Sequence, residues 1–407
     1  MKVLFLTHRL PYAANRGDRL RALHILHALA GHVEVDLVSL VHSEDEARHA
    51  ADLRHLAASV TVAPISRLAG VGRAAVALLT DRPFTHAMLF AREVGAACRR
   101  IVSQRRPDVV LAYCSGMARF ALEPPLDSIP LVLDMLDVDS EKWRALGSSA
   151  AAPTRWIYAS EARRLSVFEG RAARAAHTVM VVNDRERDAL LHLAPTARVF
   201  VVPNGVDATA FRPAAGPSTD RRVTFCGVMN YRPNEEGAAW FVREVWPMVR
   251  ARNPHAMLSL VGSDPSPAIQ RLAVADPSIE VTGSVPDTRP YLWRSAVGIA
   301  PLLVARGVQN KVLEAVSAGL PCVVTPAVHE GLPAEILPAC VVAPDAARFA
   351  SAVLHLLDCL PAERRAMAER ASLAPLAWSG RLASLLGILE AAARRAPLSA
   401  ISRADVA

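Results

Sequence analysis

The segment Arg306-Gly307-Val308-Gln309-Asn310-Lys311-Val312-Leu313-Glu314-Ala315 has the residue types and spacing of a site for a phosphorylated ligand. It follows an apolar run that reads as a strand and opens a helix reaching Ala318-Gly319. A glycine at 307 frees the backbone, the first amides of the helix point at an anion, and Lys311 adds a point charge, which together make a diphosphate cradle. Glu314 lies one turn further on, where a carboxylate can accept hydrogen bonds from both hydroxyls of a ribose. An ordinary amphipathic helix with an exposed lysine and glutamate is the plain alternative.

The rest of the chain supplies elements able to position such a loop. With 407 residues it exceeds one ordinary core and suits two α/β domains. Alternation begins at once: apolar Lys2-Thr7, amphipathic Arg19-Ala30, apolar Val33-Val41, helical Glu44-Leu56 and apolar Val60-Ile65. It resumes with Asp108-Tyr113, Leu131-Met135, a long arginine-rich helix over Thr154–Ala175, and strands at His177-Val182 and Val199-Pro203. The aperiodic stretch Phe211–Asp220 reads as an interdomain linker. A second series follows, with strands at Val223-Cys226, Met257-Val261, Ile279-Val281, Val297-Pro301 and Cys322-Val324, and helices at Glu235-Arg252, Ala268-Ala275 and Val308-Ala318. Alternation of this kind specifies parallel sheets with crossover helices.

Composition narrows the class. Hydrophobic residues make up 52% and charged residues 21%, so the chain is globular. Six cysteines are scattered without a CxxC pair and sit mostly in apolar runs, which favours a reducing compartment. The first apolar run stops at Leu6, too short for a signal peptide or a membrane span, so a cytoplasmic location is expected. The net charge is +7, but the arginines are spread and few aromatics accompany them, which argues against nucleic acid. Only three lysines occur, Lys2, Lys142 and Lys311, so the internal two stand out.

Further candidates lie in the first half. Gly17, in the loop His8–Asp18 after the first strand, precedes a helix opening Arg19-Leu20-Arg21 and would let a phosphate or an acceptor approach the backbone. Asp134, Asp137 and Asp139 form an acidic cluster in which Asp137-Val138-Asp139 matches a metal-binding DxD. Two doubly wound halves argue instead for a metal-independent architecture. Asp134 and Asp137 are then expected to bind the acceptor or handle a proton, the plain alternative being that Asp139 and Ser140 merely start a helix. Gly70-Val71-Gly72-Arg73-Ala74-Ala75 fits a loose dinucleotide pattern but lacks the strand before it and the acid after it. Neither a Gly-x-Ser-x-Gly elbow nor a zinc-spaced histidine pair is present.

Lys311-Val312-Leu313-Glu314-Ala315 with Gly319 and Pro321-Cys322-Val323-Val324, preceded by Val202-Pro203-Asn204-Gly205-Val206-Asp207, resembles the family-4 retaining glycosyltransferases of GT-B fold. Through Asp134–Trp143 and Gln309-Asn310-Lys311 the chain is most similar to sugar transferases of exosortase-linked exopolysaccharide systems, and the resemblance covers nearly the whole sequence. It implies that Glu314 binds the donor ribose and that Gly307, Val308, Gln309 and Asn310 bind the diphosphate. The family places a glutamate on the donor sugar where this chain has Arg306, so donor-sugar identity does not transfer; an arginine there can pair with a diphosphate or an acidic sugar. The family also places cations in the loop after the first strand of the second domain. Here that loop is Gly227–Asn234, whose one cation, Arg232, is expected to bridge the diphosphate while Asn234 caps the next helix. Gly262 and Gly283 end strands of the same sheet and are expected to admit the donor base and ribose, plain turn glycines being the alternative.

The resulting expectation is an α/β GT-B protein, with two doubly wound Rossmann-like domains facing a central cleft. The boundaries are 1–205 for an acceptor-side domain, 206–375 for a donor-binding domain, 376–393 for a helix returning towards the first domain, and 394–407 for a loose tail. Catalysis is assigned to Arg232, Lys311, Asp134 and Asp137. The partners are a nucleotide-sugar donor as co-substrate and a glycan or lipid-linked acceptor, with no metal or other cofactor required. Peripheral contact with the inner membrane surface is expected through Arg99, Arg100, Arg105 and Arg106. The rivals are a nucleotide-sugar epimerase or hydrolase on the same fold, and a catalytically silent scaffold in polysaccharide assembly.

Overall fold

The computed structural model describes residues 1–12, 17–66, 70, 72–74, 77, 80–148, 150–305 and 307–395. Two compact units divide the chain, Met1–Pro203 joined by the described part of Leu382–Ala407, and Asn204–Arg381.

The first unit is built on seven strands: β1 Lys2–Thr7, β2 Glu34–Val41, β3 Ser59–Pro64, β4 Val109–Tyr113, β5 Leu131–Leu136, β6 Thr178–Val181 and β7 Val199–Val201. They pair in the order β3-β2-β1-β4-β5-β6-β7, every neighbouring pair parallel. The helices used below are α1 Gly17–Leu29, α2 Arg92–Arg105, α3 Ser115–Ala121, α4 Asp139–Ser148 and α5 Thr154–Ala175. Central strands are apolar without alternation because helices cover both faces of a parallel sheet; β1 and β4 are buried along almost their whole length.

The second unit repeats this plan with β8 Arg222–Cys226, β9 Met257–Val261, β10 Ile279–Val281, β11 Val297–Ala300, β12 Cys322–Val324 and β13 Cys340–Val342, ordered β10-β9-β8-β11-β12-β13 and again all parallel. Its two helices of interest are α6 Arg232–Trp240 and α7 Asn310–Ser317. Each unit has its own hydrophobic core. In both sheets the order runs outward one way from the first strand and then reverses, the doubly wound arrangement.

Two features differ from the sequence reading. β13, a short strand at the edge of its sheet, is not among the strands expected from the sequence. The stretch 211–220 is not a linker: it lies within the second unit, where Arg289, Trp293, Arg365 and Arg364 hydrogen-bond the carbonyls of Ala210, Arg212, Ala214 and Ser218. Side chains that seize backbone carbonyls can order a segment with no secondary structure, and composition does not reveal them. At the carboxyl end, helix α8, Leu385–Ala393, packs against β4 and β5 of the first unit.

Candidate functional site

In the second sheet the strand order reverses between β8 and β11, so ligands are expected beyond the carboxyl ends of those two strands. Two loops converge there, Gly227–Tyr231 after β8 and the described residues 301–305 and 307–309 between β11 and α7. Gly307 is buried with φ +63°, a conformation that favours glycine. Val308, Gln309 and Asn310 are half-buried, and Gln309 stands at the N-cap of α7 without a side-chain cap on the helix amides. The buried Oδ1 of Asn310 has no hydrogen-bond partner among the described residues.

Lys311 turns from the first turn of α7 towards the β8 loop. Its Nζ donates to Oδ1 of Asn234 at 2.6 Å and stands 4.8 Å from the centroid of the Phe225 ring. Asn234 is buried, and its Nδ2 donates to the Val228 carbonyl at 2.9 Å, so its oxygen is the atom left for the ammonium. A Cβ on Gly227 would lie 2.8 Å from Asn234 Nδ2 and 3.3 Å from Lys311 Nζ, so only glycine leaves this contact room. Glu314 shares the face of α7 with Lys311 one turn on. Burial pushes the Lys311 ammonium down to about 8, with Cys226 and Glu314 opposing the shift. Burial pushes the Glu314 carboxyl up to about 7 against the pull of Lys311, and the Cys226 thiol, at the end of β8, up to about 12. The recess holds an ammonium and a carboxylate that both titrate near neutrality, an arrangement typical of groups kept for a ligand.

The other candidates fall in different places. Arg232 opens α6 and pairs with Glu236 at 2.7 Å, both about half exposed, and is no part of the Asn234–Lys311 contact. Asn234 does not cap α6: Tyr231 is the N-cap, and Asn234, inside the first turn, spends its amide on Lys311 and Val228. Gly262 has φ +147°, and a Cβ on it would stand 1.8 Å from the Gly227 carbonyl oxygen. Contact with the β8 loop explains that glycine without a ligand. Gly283 has φ +68° and open space around it, as a turn glycine does. Arg306 lies outside the described residues.

In the first unit Gly17 opens α1. Asp134 is not available to an acceptor. It is fully buried on β5, where Arg21 of α1 donates Nε and Nη2 to it at 2.8 and 3.2 Å and Nη1 to the Val202 carbonyl at 2.9 Å. Burial pushes its carboxyl up against the pull of that guanidinium. Asp137 is half-buried in the turn between β5 and α4, after Leu136 at φ +61°. Asp139 accepts from Ser115 Oγ at 3.0 Å, while Glu186 and Glu169 take the amides of Val138 and Ser140. Among the described residues no group of three His, Cys, Asp or Glu side chains is placed to hold a metal ion. The arginines of α2 and its C-cap are partly engaged: Arg100 bonds Thr61, Arg105 pairs with Glu34, and the C-cap Arg106 bonds Ser128. A depression at the opposite edge of the first sheet, lined by Lys2, His32, Glu34, His55 and Asp108, lies at the amino ends of the strands, away from where parallel sheets bind ligands.

Sequence reasoning missed Gly227 as a packing requirement and Asn234 as the partner of Lys311. The available signal was a glycine directly after a strand with an asparagine in the first turn of the next helix.

These two doubly wound sheets have the GT-B fold, and residues 220–359 match the family model described as Glycosyl transferases group 1, so the second unit carries a group 1 glycosyltransferase domain. No curated protein matches the chain in sequence. Among solved structures, sucrose-phosphate synthase from Thermosynechococcus elongatus is similar over 97% of this chain and 97% of its own, at 14% identity and a TM-score of 0.64. A TarM variant from S. aureus in complex with UDP, fondaparinux and alpha-GlcNAc-glycerol aligns over 96% of this chain and 100% of its own, at 10% identity and a TM-score of 0.69. Anabaena HepE in complex with UDP aligns over 96% and 100%, at 13% identity and a TM-score of 0.63.

Proposed function

We propose that this protein is a retaining glycosyltransferase, of family 4 and closest in kind to the exosortase-linked transferases, which moves a sugar from a nucleotide-diphosphate donor to a glycan or lipid-linked acceptor in exopolysaccharide synthesis. The observation that carries the reading is the Asn234–Lys311 contact beside Gly307 and Glu314, at the reversal point of the sheet that matches the group 1 family. In this reading Gly307 and the first amides of α7 hold the diphosphate, Lys311 neutralises the charge that develops as the nucleotide leaves, and Glu314 holds the ribose. The acceptor belongs to the first domain. Its hydroxyl forms the new bond on the face from which the diphosphate departs and passes its proton to the departing diphosphate oxygen as the anomeric carbon–oxygen bond to phosphate breaks. The donor site supplies its positive charge from the ammonium and the helix amides, so metal independence is part of the proposal. So are a cytoplasmic location and contact with a membrane surface; among the described residues no helix is long and apolar enough to cross a membrane. Uridine is the donor base to test first, because HepE and TarM are seen with UDP.

A thermal-shift screen against UDP, GDP, ADP, CMP and their sugars, in EDTA and then with magnesium or manganese, tests the donor site. One nucleoside diphosphate stabilises the protein in EDTA, and Lys311→Ala and Glu314→Ala remove the shift. Stabilisation only with metal revives Asp137 and Asp139, and no shift with any nucleotide refutes the donor site. Product analysis then separates transfer with retention from epimerisation or hydrolysis.

A further inference from the structure

Helix α5 is unusual in where its charges point. Its two acids, Glu161 and Glu169, are both fully buried: Glu161 accepts the amides of Phe84 and Thr85, and Glu169 that of Ser140. Its outer side presents Arg155, Arg163, Arg171 and Arg174, all exposed and none paired with an acid among the described residues. Arg171 lies over the Phe168 ring, and Arg174 donates to the Leu193 carbonyl. Between these cations stand large apolar side chains in water: Trp156 is 72% exposed, Val167 69% and Ile157 41%. Trp156, Arg163, Val167, Arg171 and Arg174 fall on one helical face, a stripe about 27 Å long at 1.5 Å per residue.

We infer that this face of α5 is a docking surface for a bilayer rich in anionic lipid. The cations match a negative headgroup layer, and both acids of α5 itself are buried on its other side. The interspersed tryptophan, isoleucine and valine decide between polyanions. They gain nothing from a nucleic-acid backbone, whereas at the headgroup–acyl boundary they leave water and an indole finds its preferred place. The inference deepens the membrane side of the proposed function and moves it from the arginines of α2 to those of α5. It does not depend on sugar transfer.

The test is sedimentation of the full chain with vesicles of phosphatidylcholine alone and of equal parts phosphatidylcholine and phosphatidylglycerol. Binding is expected to the mixed vesicles only and to weaken with salt. Arg163→Gln/Arg171→Gln/Arg174→Gln, at about fivefold per cation, lowers the partition coefficient on the order of 100-fold. Trp156→Ser weakens it further, and Arg99→Gln/Arg100→Gln leaves it unchanged. None of these variants alters the nucleotide thermal shift, so the donor site and the docking face fail separately. Equal binding to both vesicles, no binding to either, or loss of binding in the α2 variant alone overturns the inference. So does an RNA oligomer that binds with the same arginine dependence and displaces the vesicles.

Discussion

Donor affinity is expected to follow a bell-shaped pH profile set by one turn of one helix. In the proposed donor site the diphosphate needs Lys311 charged and the ribose needs Glu314 ionised, and these groups sit at about 8 and about 7 in the free protein. The competent fraction is the product of the two ionised fractions, roughly 0.6 near pH 7.5 and roughly 0.09 near pH 6 and pH 9. Affinity for the nucleotide-sugar therefore falls about sixfold on either side of its maximum, through deprotonation of Lys311 on the alkaline limb and protonation of Glu314 on the acid limb. Titration calorimetry across this range, using the donor found in the thermal-shift screen, gives the profile. The two limbs belong to a coupled pair, so variants assign them. Lys311→Arg keeps its charge throughout and removes the alkaline limb, and Glu314→Gln removes the acid limb. Lys311→Ala removes a charged hydrogen bond and weakens binding roughly 10- to 150-fold at the optimum. A flat profile in the wild type, or an alkaline limb that survives in Lys311→Arg, refutes the assignment of these two residues to the donor.

Three further outcomes follow from packing. Gly262→Ala drives a methyl into the Gly227 carbonyl, so the variant melts earlier and loses nucleotide stabilisation through displacement of the β8 loop; a normal thermal shift in this variant would separate the β8 loop from the site. Arg21→Met leaves Asp134 buried without its partner and costs about 3–5 kcal/mol, a fall in Tm of roughly 6–20 °C by calorimetry, and adding Asp134→Leu recovers only part, because the Val202 carbonyl stays unmet. Glu169 has its carboxyl pushed up to about 8 by burial and by Asp139, so the fold holds it protonated. Its contribution to stability is full below about pH 4.5, shrinks as pH rises and is gone above about 8, so Glu169→Gln flattens the decline in Tm between those two values, and parallel curves for the two proteins count against that buried acid.

The parts of this protein that were legible in its sequence depend on neighbours along the chain. Apolar runs at β1, β4, β8 and β9 lie where the alternation placed them, because a parallel strand covered on both faces is apolar at every position. The opening of α7 was legible for the same reason, since a glycine, a helix start and a lysine lie within one turn. Pairings made by tertiary contact were not. Arg21 reads as one more polar residue of an amphipathic helix, and only the fold brings it to Asp134, 113 residues away. Asn234 reads as a cap until Lys311, 77 residues on, meets its amide oxygen. In both cases a polar side chain was given its local role, and burial gave it a distant one.

The identity of the cation in the proposed donor site follows from its surroundings. Almost every positive charge in this chain is an arginine, yet the recess beside Gly227 holds a lysine. A guanidinium is wide, forked and always charged, whereas an ammonium is compact and can lower its pKa when it is desolvated. Here the ammonium fits between the Phe225 ring, the Asn234 amide and the backbone of Gly227, where a single added methyl would crowd it. Arg232, with space on the helix surface, pairs instead with Glu236. Lys311→Arg is therefore expected to disturb the Asn234 contact even as it fixes the charge, so its affinity at the optimum falls while its alkaline limb disappears. The two effects separate in one titration series: a constant loss at every pH reports the fit, and the change of slope above about pH 8 reports the charge.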